Sequence, residues 1–418
     1  MDDNQATPGD AASRRPLGDL SGMAELKFLA GSRPAELYEA AERLCREASD
    51  DASAASAAAV RTIGRVADVL AETRSRDCAR FAVDLVGRLL PTGPVGRQEG
   101  DRLRRSVAAK LAKAQQLRDL APLFEELPDD AEDPSADVRA CLLGELALIG
   151  AGRGRPVLDA YVERLRELGH PLAVLPRTRL DVEHRFTVRV RGLGSVKTPD
   201  RLRSRFPEIS PTDSGAAAGH TAGQTPDGTR ARAAAEPFTA GGWAREPEVR
   251  FFTLPRPLDP DDFNISFVKE LPLDCMVGEG THRGGAVACR TTPDDVLGTL
   301  FAAAYDGGVN GRPQGGAYAR LYAWNSLYAL LGLPADVPFP EAVGRALDHR
   351  WLRFMAFTDW FHHDTADEAF AVLDPTRTRV TVLAATDTDT DGQRTGRPCG
   401  GRPPPLTLSA PRTCAPRP

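Results

Sequence analysis

The sequence predicts an α+β molecule in two parts: an N-terminal all-α domain of helical pairs, bundled or stacked in a HEAT-like way, and a C-terminal α+β domain. Three observations predict it. Apolar residues recur at three- and four-residue spacing from about residue 21 to Leu168. The period switches to two near residue 184, and beyond residue 237 lie all four tryptophans and eleven of the sixteen phenylalanines.

Residues 1–20 carry Pro, Gly, Asp and Ser without periodicity and read as a disordered leader. The helical domain then spans 21–208. Ser32 before Arg33-Pro34 caps a helix with Leu37, Ala40, Ala41 and Leu44 on one face. Further stripes follow at Val60, Ile63, Val66 and Leu70, at Phe81, Leu85 and Leu89, at Leu103, Val107 and Leu111, and at Leu117, Leu120, Leu123 and Phe124. They are separated by breaks at 73–77, 91–96 and 128–134. A largely apolar helix through Val138 to Ile149 stops at Gly150-Ala151-Gly152, and a partner helix from Pro156 ends before Gly169. Phe186, Val188 and Val190 alternate with polar neighbours over 184–191, as in a half-buried strand.

From Ser210 to Glu248 there is no Val, Ile, Leu or Met, so 209–248 reads as a flexible linker too poor in apolar surface to offset its ordering entropy. In the α+β domain, 249–391, strands are expected at Val249 to Leu254, Asn264 to Leu271, Arg283 to Arg290 and Arg379 to Ala385. Helices are expected at Asp294 to Tyr305, Ala317 to Leu331 and Pro340 to Leu347, with Thr358 capping one more. Residues 392–418, with five arginines, seven prolines and no acid, form a disordered tail.

Composition excludes some roles. With 53 basic against 58 acidic residues the net charge of -5 offers nucleic acid no electrostatic reason to bind, and no apolar run suits a membrane span. The polar start lacks a secretory pattern, and seven scattered cysteines do not make a disulfide framework, which together indicate a reducing cytoplasm. Only five basic residues are lysine, so the arginine abundance reads as genome composition rather than phosphate recognition.

Gly315-Gly316-Ala317-Tyr318-Ala319-Arg320-Leu321-Tyr322-Ala323-Trp324-Asn325-Ser326-Leu327, with Val382-Leu383-Ala384-Ala385-Thr386-Asp387-Thr388-Asp389, resembles an uncharacterised family of actinobacterial proteins. The resemblance covers chiefly the second half and implies no activity and no site residues.

Four constellations are candidates for chemistry. Asp359, His363 and Asp367, four apart, would share a helix face able to hold a metal or relay a proton, with Asp364 and Glu368 beside them. Cys275, His282 and Cys289 supply three zinc-type ligands, or a thiol and its base. Asp387, Asp389, Asp391 and Gly392 open like a calcium loop, but Pro398 stands where its last ligand belongs. Gly315 and Gly316 at a helix start, with Arg312 and Arg320, could attract an anion, although the phosphate-loop ending is missing.

No catalytic motif completes and no cofactor is specified. The expectation is a non-enzymatic interaction or regulatory protein with a protein partner. The alternatives are a metal-assisted hydrolase using Asp359, His363 and His282, or a small anionic-ligand binder at Gly315 and Gly316. Oligomeric state is not encoded in any of these features.

Overall fold

A computed structural model describes residues 22–49, 54–88, 93–130, 133–186, 221–277, 285–309, 311–361 and 366–387. Its class is α+β, with helices first and a six-stranded antiparallel sheet in the C-terminal part.

The N-terminal helices are α1 (Met23–Ser32), α2 (Pro34–Ser49), α3 (Ala54–Glu72), α4 (Arg76–Arg88), α5 (Gly93–Ala114), the short α6 (Leu117–Leu120), α7 (Pro134–Leu148) and α8 (Pro156–Glu167). The expected breaks at 73–77 and 128–134 fall at helix ends, whereas 93–96 of the break expected at 91–96 belong to α5, and local chemistry accounts for two of the boundaries. Asp133 caps α7 by accepting from the Ser135 amide at 2.9 Å, and Pro134 takes the first helical position, where no amide hydrogen is needed. Ser32 ends α1, returning its hydroxyl to the Phe28 carbonyl at 2.8 Å. The buried residues Leu37, Ala41, Ile63, Val66, Leu70, Val107 and Leu111 are those of the predicted stripes.

Beyond residue 220 come β1 (Gly223–Gln224), α9 (Gly228–Gly241), β2 (Glu248–Thr253), α10 (Ile265–Glu270), β3 (Ala286–Arg290), α11 (Pro293–Tyr305), α12 (Gly315–Leu331), α13 (Phe339–Asp348), β4 (Arg350–Ala356), β5 (Ala366–Leu373) and β6 (Arg379–Asp387). The strand order is β1-β2-β6-β5-β4-β3. Residues on β5 alternate between two cores: Phe370 and Val372 join the one shared with the helices, whereas Ala369, Ala371 and Leu373 face the one built on α10 and the loop before it. With both faces covered, β5 and β6 are nearly continuous runs of buried residues.

Four expectations need correction. The linker expected at 209–248 instead contains β1 and α9, capped at Asp227 and closed by Gly242 at φ +75°. Few large aliphatics are needed there because α9 packs through alanines, with Ala234 and Phe238 fully buried and Ser326 donating to the Ala234 carbonyl at 2.7 Å. Asn264 to Leu271 is a helix because the Asn264 side chain accepts from the amides of Ser266 and Phe267. Thr358 starts no helix among the described residues; its hydroxyl goes to the Cys275 carbonyl, a turn follows it, and 366–373 form strand β5. Phe186 is buried but not in a strand, and the rest of that expected strand, 187–191, falls outside the described residues, as do the leader 1–20 and tail 392–418.

The picture of two separately folded bodies is corrected as well, since a single core runs from Leu26 on α1 to Ala385 on β6. Helix α12 is its hub. Gly144 on α7 lies so close to α12 that an added Cβ would meet the Ala317 Cβ at 2.5 Å. Arg320 and Glu183 are both fully buried and joined by Nε to Oε1 at 2.7 Å and Nη2 to Oε2 at 2.9 Å. Arg320 donates further to the carbonyls of Pro176 and Thr178, and Glu183 accepts from the Trp324 indole and the Leu180 amide. Each guanidinium nitrogen of Arg320 and each carboxylate oxygen of Glu183 thereby has a partner, and the pair itself spans the boundary between the regions. Phe186 stacks on Phe301 at 4.3 Å, and Arg185 pairs with Asp294 and Asp295 beside it.

Candidate functional site

Where helices α3 and α5 meet the sheet region, a cleft of about 1670 Å³ opens. Its helical side is built from residues one or two turns apart: Val60, Arg61, Gly64, Arg65 and Asp68 on α3, and Glu99, Arg102, Ser106, Lys110 and Lys113 on α5. Arg105 joins them from the neighbouring stripe. On the sheet side stand Thr299, Ala302 and Tyr305 of α11, Asp306 just after it, Gly307, Gly308, Val309, Gly311 and Pro313 of the glycine-rich loop, Trp243, and Arg353 with Glu368 from adjacent strands.

Charge is uneven. Seven cationic side chains face four carboxylates in the lining. Lys110 is committed to Asp68 at 2.6 Å, Arg102 to Glu99 at 2.6 Å, and Arg353 to the buried Glu368. Arg61, Arg65, Arg105 and Lys113 form no ion pair among the described residues. Arg61, Arg65 and Lys113 are exposed, whereas Arg105 is partly buried, its guanidinium 4.0 Å over the Tyr318 ring and donating to Gln314, with Nε left without a partner. Tyr305 beside them is pushed up to about 12 by burial and then by the nearby Glu145 and Asp306 carboxylates, so its hydroxyl is protonated and able to donate at neutral pH.

The loop is held from beneath. Asp387 is 1% exposed and accepts from the Ala244 amide at 2.8 Å and from the Val309 amide. Gly307, at φ +74°, leaves so little room that a Cβ would sit 2.7 Å from the Arg312 nitrogen, which is why the turn needs glycine.

The residues singled out from sequence fall differently. Gly316 does present its amide to an anion at the start of α12, but the anion is internal: Glu145 Oε1 accepts from Gly316 at 2.6 Å and from Ala317 at 3.3 Å. Burial raises the Glu145 carboxyl, and these two amides lower it only in part. Gly315 lines the cleft but packs against Arg105 and Glu145. Arg320, consumed by Glu183, is no anion clamp, and Arg312 is exposed outside the lining.

Asp359 is exposed in a turn, whereas Asp367 is buried on β5 and accepts from the Thr386 hydroxyl at 2.6 Å. No shared helix face unites them, because strand pairing with β6 claims 366–373. His362, His363 and Asp364 lie outside the described residues, as do His282, Asp389, Asp391 and Gly392. Glu368 points to the opposite side of β5 from Asp367, toward Arg353. Cys275 is fully buried, and burial followed by the Glu248 carboxylate pushes its thiol far up, the reverse of an activated nucleophile. Cys289 is half-buried on β3. Among the described residues no group of three or more His, Cys, Asp or Glu is arranged to hold a metal ion, and no helix is long and apolar enough to cross a membrane.

The cationic row on α3 and α5 was hidden by the general abundance of arginine. One signal was available: in a chain that uses lysine five times, Lys110 and Lys113 fall on one turn of one helix.

No curated protein and no solved structure matches this chain. A model of a family of unknown function, DUF6183, matches residues 23–389. The match takes in the helical region and the sheet region alike, beyond the second-half motifs that carried the resemblance. The chain thus belongs to the DUF6183 family of unknown function.

Proposed function

We propose that the chain is a non-enzymatic binding protein whose cleft between the helical and sheet regions receives an anionic ligand. The observation that carries this reading is the row of cations without carboxylate partners among the described residues, Arg61, Arg65, Arg105 and Lys113, on the wall of a cavity larger than the usual 300–1,000 Å³ ligand pocket. A charge left unpaired at the mouth of a low-dielectric cleft attracts its counter-ion more strongly than one on an open surface. The anion site expected at Gly315 and Gly316 moves, on this reading, to the facing helices, since Glu145 already fills the start of α12.

Isothermal titration of the full chain with tripolyphosphate tests it. Binding that weakens with added salt is expected, and Arg61→Glu with Arg65→Glu should reduce affinity by tenfold or more, at roughly 1.5–3 kcal/mol per charged hydrogen bond. Arg312→Ala should change nothing. Absence of binding at low salt, or equal affinity in the doubly reversed variant, refutes the reading.

A further inference from the structure

The cleft carries more than positive charge. Trp243 and Tyr305, both half-buried, contribute to its lining from the sheet side. Neither ring is loose: Trp243 packs edge-on against Phe238 at 4.8 Å and gives its indole hydrogen to the Ala303 carbonyl, and Tyr305 stacks on Phe301 at 5.3 Å. Rings held in place by their neighbours lose little freedom when a ligand packs on them. On the helical side the cations form an extended row. Arg105 and Lys113 are eight residues apart on α5, about 12 Å along the axis, and Arg61 and Arg65 line the same cleft from α3.

One ligand chemistry meets both sides: a chain of phosphates joined to a flat aromatic ring. We infer that the cleft takes a nucleoside di- or triphosphate, with its phosphates on Arg61, Arg65, Arg105 and Lys113 and its base against Trp243 and Tyr305. This rests on the anion-binding reading above and narrows it. A single phosphate or carboxylate would engage only part of the row, and an acidic peptide would leave the aromatic side without a counterpart.

The test uses the full chain and four probes, ATP, tripolyphosphate, adenosine and an oligoglutamate peptide, titrated calorimetrically at one salt concentration. ATP should bind about tenfold or more tightly than tripolyphosphate, the increment expected of one base stacked on an aromatic side chain. Tyr305→Leu should erase most of that advantage by lowering ATP affinity by a larger factor than tripolyphosphate affinity, and Lys113→Ala, at an exposed position, should weaken both probes by a similar factor. Equal affinities for ATP and tripolyphosphate overturn the nucleotide assignment and leave the anion-binding reading standing; no binding of either overturns both. An oligoglutamate peptide that binds more tightly than ATP also overturns the assignment, in favour of a protein segment.

Discussion

Replacing Glu183 by leucine should have an effect far larger than its place in a short helical turn implies. The change leaves the Arg320 guanidinium at 0% exposure with only the carbonyls of Pro176 and Thr178, and it strips the Trp324 indole of its acceptor. An uncompensated buried charge costs about 3–5 kcal/mol, and the orphaned indole adds about 1 kcal/mol. At about 1.4 kcal/mol per tenfold, the folding constant falls by more than a hundredfold. Arg320→Met should cost a similar amount, because it leaves Glu183 buried and unpaired. The double variant should lose much less than the sum of the two, since no isolated charge then remains. Urea unfolding followed both by tryptophan fluorescence and by far-ultraviolet circular dichroism measures each term. Single-variant losses below about 1 kcal/mol, or losses that simply add, would refute the buried pair as the tie between the regions. Separate transitions for the two probes would refute the continuous core.

Two more consequences are open to measurement. Because burial raises the Glu145 carboxyl, the folded state holds that proton to higher pH than the unfolded chain does, so its contribution to stability is full below the unfolded value near 4.3 and is lost as pH rises through the folded one. Glu145→Gln removes this slope, and the difference in unfolding free energy between variant and wild type should shift in the variant's favour from pH 4 to pH 7; no shift would mean that the carboxyl is not displaced. Gly144→Ala gains roughly 0.5–1 kcal/mol of helix preference but drives a Cβ to 2.5 Å from that of Ala317, at about 1–3 kcal/mol for overpacking, so a lower thermal midpoint is expected and a higher one would contradict the close crossing of α7 and α12.

Local patterns carried much of the fold. The stripes of α2 to α5, the proline at the start of α8 and the strand expected at Arg379 to Ala385 were legible because their signals sit within a few residues of one another. What was not legible depends on distant partners. Asp367 and Glu368 sit side by side in β5, where acidic residues are disfavoured, and are tolerated because Thr386 and Arg353 meet them from other strands. The same four-residue spacing from Asp359 to Asp367 that reads as a helix face is an accident of a turn running into a strand. Helix α9 escaped notice because alanine packing leaves no amphipathic stripe of large side chains. The site was legible only in its chemistry: an anion does sit on the amides that begin α12, yet it comes from α7, 171 residues earlier. Complementarity of that kind is set by tertiary contact, which spacing along the chain does not encode.

Hydrogen–deuterium exchange of the full chain with and without tripolyphosphate tests the central claim most directly, because it reports where an anion acts. Added protection confined to α3, α5 and the loop 307–313 is the predicted result. Protection elsewhere, with those segments unchanged while binding is saturated, would contradict it.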